Sequence, residues 1–387
     1  MKPRRQVALL VETSNAYARG LLEGVSAYVR DHRSWSMSLP ETGRGDAPSA
    51  ALARWKGDGV LARIETADIA RAVRRLQVPA IDLSAARFLR DLPWVETDDD
   101  AIARLALDHF VERGFRHVAF CGDPRFNWSK WRCERFFGLA EEAGLTWTDY
   151  GASGSLPVSW QAEHAKLVRW VRSLPRPIGI FACYDIKALQ LLDACRDAGI
   201  AVPEEVAVLG VDNDPVLCEL CDPPLSSVIP DARRTGYLAA ELLDRWIEGK
   251  RPPAEAHRIA PLGIRTRQST DVLAMEDRDV AAAVRFIRER ACTGISVATV
   301  LREVPLSRRV LERRFFRCVG RSPHAEILRV KLARVMQLLV ESDLSIEAIA
   351  TMAGFEHPEY LSVAFKREMG VAPNHYRNEK RIRATCS

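Results

Sequence analysis

Residues 345–377 read SIEAIATMAGFEHPEYLSVAFKREMGVAPNHYR. Ser345 followed by Ile346, Ile349 and Met352 at helical spacing predicts a short capped helix. Gly354 supplies a left-handed stop, and Leu361 and Phe365, four apart, anchor a second helix. The segment is a helix, a tight turn and a helix. The same pattern occurs upstream, where Ser296, Val297 and Val300 match Ser345, Ile346 and Ile349 at an offset of 49. Leu311, Phe315, Gly320 and Pro323 then match Leu361, Phe365, Gly370 and Pro373 at an offset of 50, so the chain carries an internal repeat. In the upstream copy a turn at Pro305 and Leu306 leads to Ser307, which is expected to cap a helix with five arginines, Arg308, Arg309, Arg313, Arg314 and Arg317, against one acid, Glu312. Burying Leu311, Phe315 and Val319 leaves Arg308, Arg309, Glu312, Arg313 and Arg317 outward, and an exposed basic helix after a tight turn suits a DNA major groove. Between the copies Ser322 caps and Pro323 opens an unbroken helix through Glu341.

Outward from these two helix-turn-helix units, at 296–318 and 345–369, helical periodicity extends over 280–387 with no strand pattern. This predicts an all-α domain, joined through a polar linker at 272–279 to whatever precedes it. Charge divides at the same place. Residues 276–387 carry six more basic than acidic side chains, whereas the rest of the chain is one charge negative. A basic module on a mildly acidic body points to a polyanion partner.

Residues 1–271 read differently. Apolar runs at 7–11, 59–62, 79–83, 94–97, 117–121, 178–183 and 206–211 alternate with helical patterns at 21–29, 69–76, 102–111, 131–142 and 188–198. Repeated strand–helix alternation means parallel sheets covered on both faces, and the series is long enough for two lobes with a cleft between them. A chain of 387 residues with 47% hydrophobic and 28% charged composition is globular, and no apolar run approaches the roughly 20 residues that cross a bilayer. Met1 to Arg5 has the basic start of an export signal, but its apolar stretch stops at Glu12. Nine cysteines are scattered and only Cys218 and Cys221 are close, so a reducing cytoplasm is the expected compartment.

In open parallel sheets ligands bind beyond the carboxyl ends of the strands. The residues there are polar and aromatic: Ser14, Asn15 and Tyr17; Asp98 and Asp99; Trp128, Trp131, Arg132, Glu134 and Arg135; Asp185; Asp212, Asn213 and Asp214. Carboxylates, amides and arginine hydrogen-bond vicinal hydroxyls, and an indole covers the apolar face of a pyranose, so the composition suits a sugar. No glycine-rich loop of phosphate-binding spacing is present, and neither a cofactor nor a metal is implied.

Two resemblances follow from these residues. Gly57 to Ala62, Val95 to Asp99, Gly210 to Asn213 and Arg265 to Thr270 are similar to the effector domain of the lactose-repressor group, related to periplasmic sugar-binding proteins. That resemblance implies a two-lobed α/β sensor over 1–271, with Asp98, Arg132, Asp185, Asp212 and Asn213 as sugar contacts. The group's repressors begin with a DNA-binding headpiece, whereas the first strand here starts at Val7, so DNA binding is expected elsewhere. Ile349, Gly354, Phe355, Tyr360 to Ser362, Phe365, Lys366, Gly370, Pro373, Tyr376 and Arg377 resemble the signature of the AraC/XylS family of transcription regulators. The family's base-reading positions fall on Arg309, Glu312 and Arg313. DNA contacts are expected from these, from Arg308 and Arg317, and from His357, Glu359, Ser362 and Lys366 of the second unit.

The fusion of this sensor with this DNA-binding domain resembles a xylose-responsive branch of the family, which adds Tyr17, Trp131, Glu134 and Arg135 to the expected effector contacts. Operator DNA, a small sugar with D-xylose foremost, a second copy of the chain and, for an activator, RNA polymerase are the implied partners; a membrane is not. Two rival readings are weaker. A DNA-alkylation-response enzyme sharing the DNA-binding domain needs a zinc-held cysteine set or a reactive Pro-Cys-His-Arg site, and a sugar transport protein needs an export signal.

Overall fold

The computed structural model describes residues 4–378 apart from 33–34, 41–42, 47–49, 152–158, 273–276 and 343. Part of the expected linker and the last residues of the expected helical domain, 379–387, lie outside the described residues. The chain forms two compact units, Met1–Asp271 and Val272–Ser387.

The first unit runs β1 (Arg5–Leu10), α1 (Ala16–Asp31), β2 (Trp35–Ser38), β3 (Gly59–Ala62), α2 (Ala67–Leu76), β4 (Ala80–Asp82) and β5 (Trp94–Thr97). It continues with α3 (Asp99–Glu112), β6 (His117–Cys121), α4 (Asn127–Glu142), β7 (Thr146–Asp149), α5 (Trp160–Ser173), β8 (Ile178–Ala182) and α6 (Asp185–Ala198). Then come β9 (Val206–Val211), α7 (Pro215–Leu220), β10 (Ser226–Ile229), α8 (Ala232–Ile247), β11 (Ala256–Ile259) and β12 (Gly263–Arg265). Two six-stranded sheets result, ordered β11-β5-β4-β3-β1-β2 and β12-β10-β9-β8-β6-β7, each the middle of a lobe. All pairings are parallel except β10 with β12. The chain passes between the lobes three times, at the starts of α3, α8 and β12, and short bonds knit these crossings: Asp98 N–H donates to Ile259 O at 2.8 Å and Leu262 N–H to Ile229 O at 2.8 Å.

Close packing of α8 on α1 holds the first lobe and depends on two glycines. A Cβ at Gly24 would lie 2.0 Å from Arg233 O, and one at Gly236 the same distance from Leu21 O, so neither helix face admits a side chain there. Around the contact Leu21, Val25, Ala239, Ala240 and Leu243 bury themselves with β1 and β3. The second lobe's core gathers Ile178, Ile180, Val206 and Val208 under α5 and α6.

The seven apolar runs became strands, and five further strands had no such run. Four of them, β2, β7, β11 and β12, are half-exposed sheet edges with no reason to be apolar. The fifth, β10, is interior yet reads Ser-Ser-Val-Ile. Its serines are fully buried because each is satisfied: Ser226 Oγ donates to Arg267 O at 2.9 Å, and Ser227 Oγ to Asp185 Oδ1 at 2.6 Å.

The second unit is helical: α9 (Arg278–Arg290), α10 (Val297–Glu303), α11 (Arg308–Val319), α12 (Pro323–Glu341), α13 (Ile346–Met352) and α14 (Pro358–Met369). The paired helices α10–α11 and α13–α14 are the two copies of the repeat, and α12 joins them. Ser322 and Ser345 cap their helices through their hydroxyls. Ser307 occupies the cap position of α11 without making that bond. Gly320 and Gly370 end α11 and α14 at φ 74° and 75°. Leu332, Val335, Leu339, Ile349, Leu361 and Phe365 form the core beneath the second copy.

Candidate functional site

A cavity of about 250 Å³ opens between the lobes, at the carboxyl ends of both sheets. The first lobe contributes Asn15 and Tyr17 after β1, Arg63 after β3, Ser84 after β4, and Glu96 at the end of β5, with Arg44 from a loop. The second contributes Trp128 and Arg132 from α4, Tyr184 and Asp185 after β8, and Asp212 and Asp214 after β9.

Asp212 occupies the most constrained backbone of the group. Its φ is 108° and that of Asn213 is 48°, both in territory that favours glycine. A network behind the turn sustains it. Asp212 N–H donates to Val228 O at 3.1 Å, Asn213 N–H to Ser227 Oγ at 2.9 Å, and Asp214 N–H to Asp185 Oδ2 at 2.9 Å. Asp185 is only 1% exposed and also accepts from Ser227 Oγ and from the Cys218 thiol at 3.5 Å. Its oxygens are committed to holding the turn, so Asp185 borders the cleft but serves as its scaffold. Burial, with Asp212 nearby, drives the Asp185 carboxyl upward. Burial also raises Asp212, opposed by Arg132, Arg44 and Arg63.

Each of those guanidiniums is tied to a carboxylate. Arg44 grips Glu65 through two nitrogens at 2.9 and 3.1 Å, and Arg63 pairs with Glu12 and Glu65. Arg132 donates to Asp99 at 2.7 Å and to Cys183 O at 2.7 Å, while its guanidinium lies 4.8 Å from the Trp128 ring. Among the described residues one polar atom of the Arg63 side chain, Nε, is buried without a partner. Burial pushes the Tyr17 hydroxyl upward, so it remains a donor. The wall thus alternates acceptors with fixed donors beside one indole, an arrangement that matches a neutral polyhydroxylated ligand better than an anion.

Of the expected effector contacts, Tyr17, Arg132, Asp185 and Asp212 border this cleft. Asn213 is not among the residues that border it, and its Oδ1 is buried with no partner among the described residues. Asp98 caps α3 by accepting from Ala101 N–H at 3.0 Å, at the crossing between lobes. Trp131, Glu134 and Arg135 border a separate cavity on the flank. Arg44, Arg63, Glu96 and Tyr184 were not anticipated. Arg63 directly follows β3 and Tyr184 is the second residue after β8, so the rule of strand ends finds them; Arg44 lies in a loop that carries no pattern.

On the second unit Arg308, Arg309, Glu312, Arg313 and Arg317 are exposed along α11, with Arg308 and Glu312 paired at 3.0 Å. Arg314 turns the other way, to Asp277 at 2.6 Å and Asp279 at 3.0 Å at the start of α9. On α14 and at its cap, His357, Glu359 and Lys366 are exposed and Ser362 half-buried. No helix among the described residues is long and apolar enough to cross a membrane.

Known families match the same segments. Residues 6–99 match the XylR N-terminal domain, 107–270 a periplasmic binding protein-like domain, and 300–379 a helix-turn-helix domain. The xylose operon regulatory protein of Escherichia coli strain K12 is 33% identical over 383 residues, 97% of each chain. That of Haemophilus influenzae is 30% identical, covering 96% of this chain and 98% of the other. A solved structure described as the xylose-binding transcription activator xylR superposes with a TM-score of 0.83 at 32% identity, over 97% of this chain and 98% of that one. With a sugar-sensor fold, a paired helix-turn-helix unit and relatives that match both across nearly their whole length, the chain belongs to the xylose operon regulatory protein family and is a sugar-responsive, DNA-binding transcription regulator.

Proposed function

We propose that the effector is a small neutral sugar, D-xylose foremost, bound in the cleft between the lobes. Asp212, Glu96, Arg132 and Tyr17 are its hydrogen-bonding partners, and Trp128 stacks on its ring. The carrying observation is the cleft itself, where each arginine is neutralised by a carboxylate while Asp212 is held forward by a strained turn. The likeness to regulators named for the xylose operon supports the same sugar. Closure of the lobes on the sugar shifts the protein towards one of two states, through preferential binding alone.

In the same reading two copies pair in the cytoplasm and activate transcription with RNA polymerase at paired DNA half-sites. Helix α12 has 19 residues, about 28 Å at 1.5 Å each, which suits two recognition helices entering successive major grooves about 34 Å apart. Tethering makes the second insertion intramolecular, so the less basic α14 still contributes.

A thermal-shift series over pentoses and hexoses tests the effector. At a hundred times its dissociation constant the right sugar stabilises the folded chain by about 2.7 kcal/mol. D-xylose should give the largest shift, and the Asp212→Ala chain should give none. A series in which no sugar shifts the wild-type chain overturns the reading.

A further inference from the structure

Beside the effector cleft lies the second cavity, of about 490 Å³, bordered by Arg87, Trp94 and Arg258 from the first lobe and by Asp99, Trp131 and Glu134 from the second. Glu96 borders both cavities. Arg87 stands at the wall between them. Its guanidinium lies 4.4 Å from the ring centre of Trp94 and 5.3 Å from that of Trp131, so two indoles from different lobes share one cation. One nitrogen donates to Ser84 O at 2.7 Å and the other to Glu96 Oε2. The backbone of Arg87 sits at φ 60°, a conformation that an arginine holds only where its surroundings enforce it.

The neighbours of these groups in the chain give the arrangement its meaning. Trp94 and Glu96 belong to the same strand, β5, and Trp131 directly precedes the cleft residue Arg132 on α4. Arg132 is itself held by Asp99, which borders the flank cavity. A cleft carboxylate on one lobe and a cleft arginine on the other are therefore both braced from the flank.

We infer that Arg87 is a positioning residue for effector binding: it aims Glu96 into the cleft and clasps the two lobes between Trp94 and Trp131, so that filling the cleft and holding the lobes together become one event. This rests on the cleft being the sugar site. Glu96 is 5% exposed, and burial pushes its carboxyl upward. Arg87 is the strongest group holding it down, Asp99 pushes it further up, and Arg258 at 3.9 Å helps Arg87. Without Arg87 the Glu96 carboxyl therefore keeps its proton to higher pH and stops being a fixed acceptor.

The test is calorimetric titration of D-xylose into the full-length chain and its Arg87→Ala, Arg87→Lys, Trp131→Leu and Arg87→Ala/Trp131→Leu variants, from mildly acidic to mildly alkaline pH. Each single truncation is expected to weaken binding about tenfold, the scale of one partly desolvated cation–π contact. The double variant should be no weaker than the singles. Binding by Arg87→Ala should strengthen as pH rises and Glu96 ionises, whereas Arg87→Lys, which keeps the charge, should restore the wild-type pH profile. Wild-type affinity with an unchanged pH profile in Arg87→Ala, or losses that simply add, overturns the inference and leaves the effector reading standing. A wild-type chain that takes up no D-xylose overturns the assignment of the effector instead. The same double-mutant cycle on urea unfolding then decides the clasp without a sugar: coupled losses support it, and additive losses overturn it.

Discussion

Two adjacent arginines on α11 should behave as different kinds of residue. Arg313 is exposed, on the outward face with Arg309 and Arg317, and makes no ion pair among the described residues, so its guanidinium is available to a base edge. Arg314 is turned back to Asp277 and Asp279. An arginine forking onto guanine O6 and N7 contributes about 1–3 kcal/mol of discrimination, about fivefold to 150-fold in binding ratio. Arg313→Ala should flatten the preference for guanine at one operator position by that factor and leave the unfolding midpoint unchanged. Arg314→Ala should leave every base preference intact and lower the midpoint, because α11 loses its tie to α9. That tie also sets a pH dependence. The Arg314 guanidinium holds the Asp277 carboxyl below its ordinary value, so its stabilisation is complete above the usual carboxylate range and is lost as pH falls. The assay is equilibrium binding to a panel of single-base operator variants, with parallel thermal melts. Equal weakening of Arg313→Ala across the panel would assign Arg313 to phosphate, and the argument from outward orientation to base reading would fail.

Asp185→Ala should abolish the sugar-induced shift and cost about 3 kcal/mol, since several buried donors lose their acceptor; an unchanged shift removes the scaffold role. Burial holds the folded Asp185 carboxyl above its unfolded value, near 4. Its contribution is therefore present below that value and declines as pH rises, so the wild type should lose stability relative to Asp185→Asn across neutrality, and parallel pH slopes in urea melts would contradict this. Gly236→Ala should cost roughly 1–3 kcal/mol by forcing α8 off α1, read as a lower urea midpoint. Phe316 is 62% exposed, three residues beyond Arg313 and on the same outward face. Its ring is expected to cover a thymine methyl in the major groove; replacing that thymine by uracil removes one methyl and should weaken the wild type about fourfold, from about 0.8 kcal/mol. The Phe316→Ala chain should not register the change, and equal sensitivity in both proteins would rule the contact out.

The fold was legible wherever burial is uniform. Strands buried on both faces had to be apolar, and the repeat had to reuse one core, so Leu311 and Phe315 stand where Leu361 and Phe365 stand. Edge strands and β10 escaped because their satisfaction comes from solvent or from serine hydroxyls. Within the site, the residues of α4 show why strand-end reasoning stops short. Trp128 and Arg132, four apart, share the face that borders the cleft, whereas Trp131, Glu134 and Arg135 share the next face round and border the flank cavity. All five follow β6 in sequence, and only the helical period separates the residues that line the cleft from those that line the flank cavity.

Backbone strain sorts the same residues independently. Outside glycine, positive φ occurs among the described residues at Gln77, Arg87, Asp212 and Asn213. Gln77 ends α2 in the ordinary left-handed cap. The other three lie at the cleft or its braces: asparagine tolerates the left-handed region, as at Asn213, whereas Arg87 and, at φ 108°, Asp212 need a surrounding network to hold them there. For Asp212 and Asn213 the enforcers are Ser227 and Asp185, and for Arg87 they are Ser84, Glu96 and two indoles. A carboxylate directly after a strand therefore has two possible meanings here, contact or enforcer. Asp185, with its oxygens already engaged by donors of its own lobe, fits the enforcer; Asp212, on strained backbone at the cleft, is the contact we propose that network holds in place.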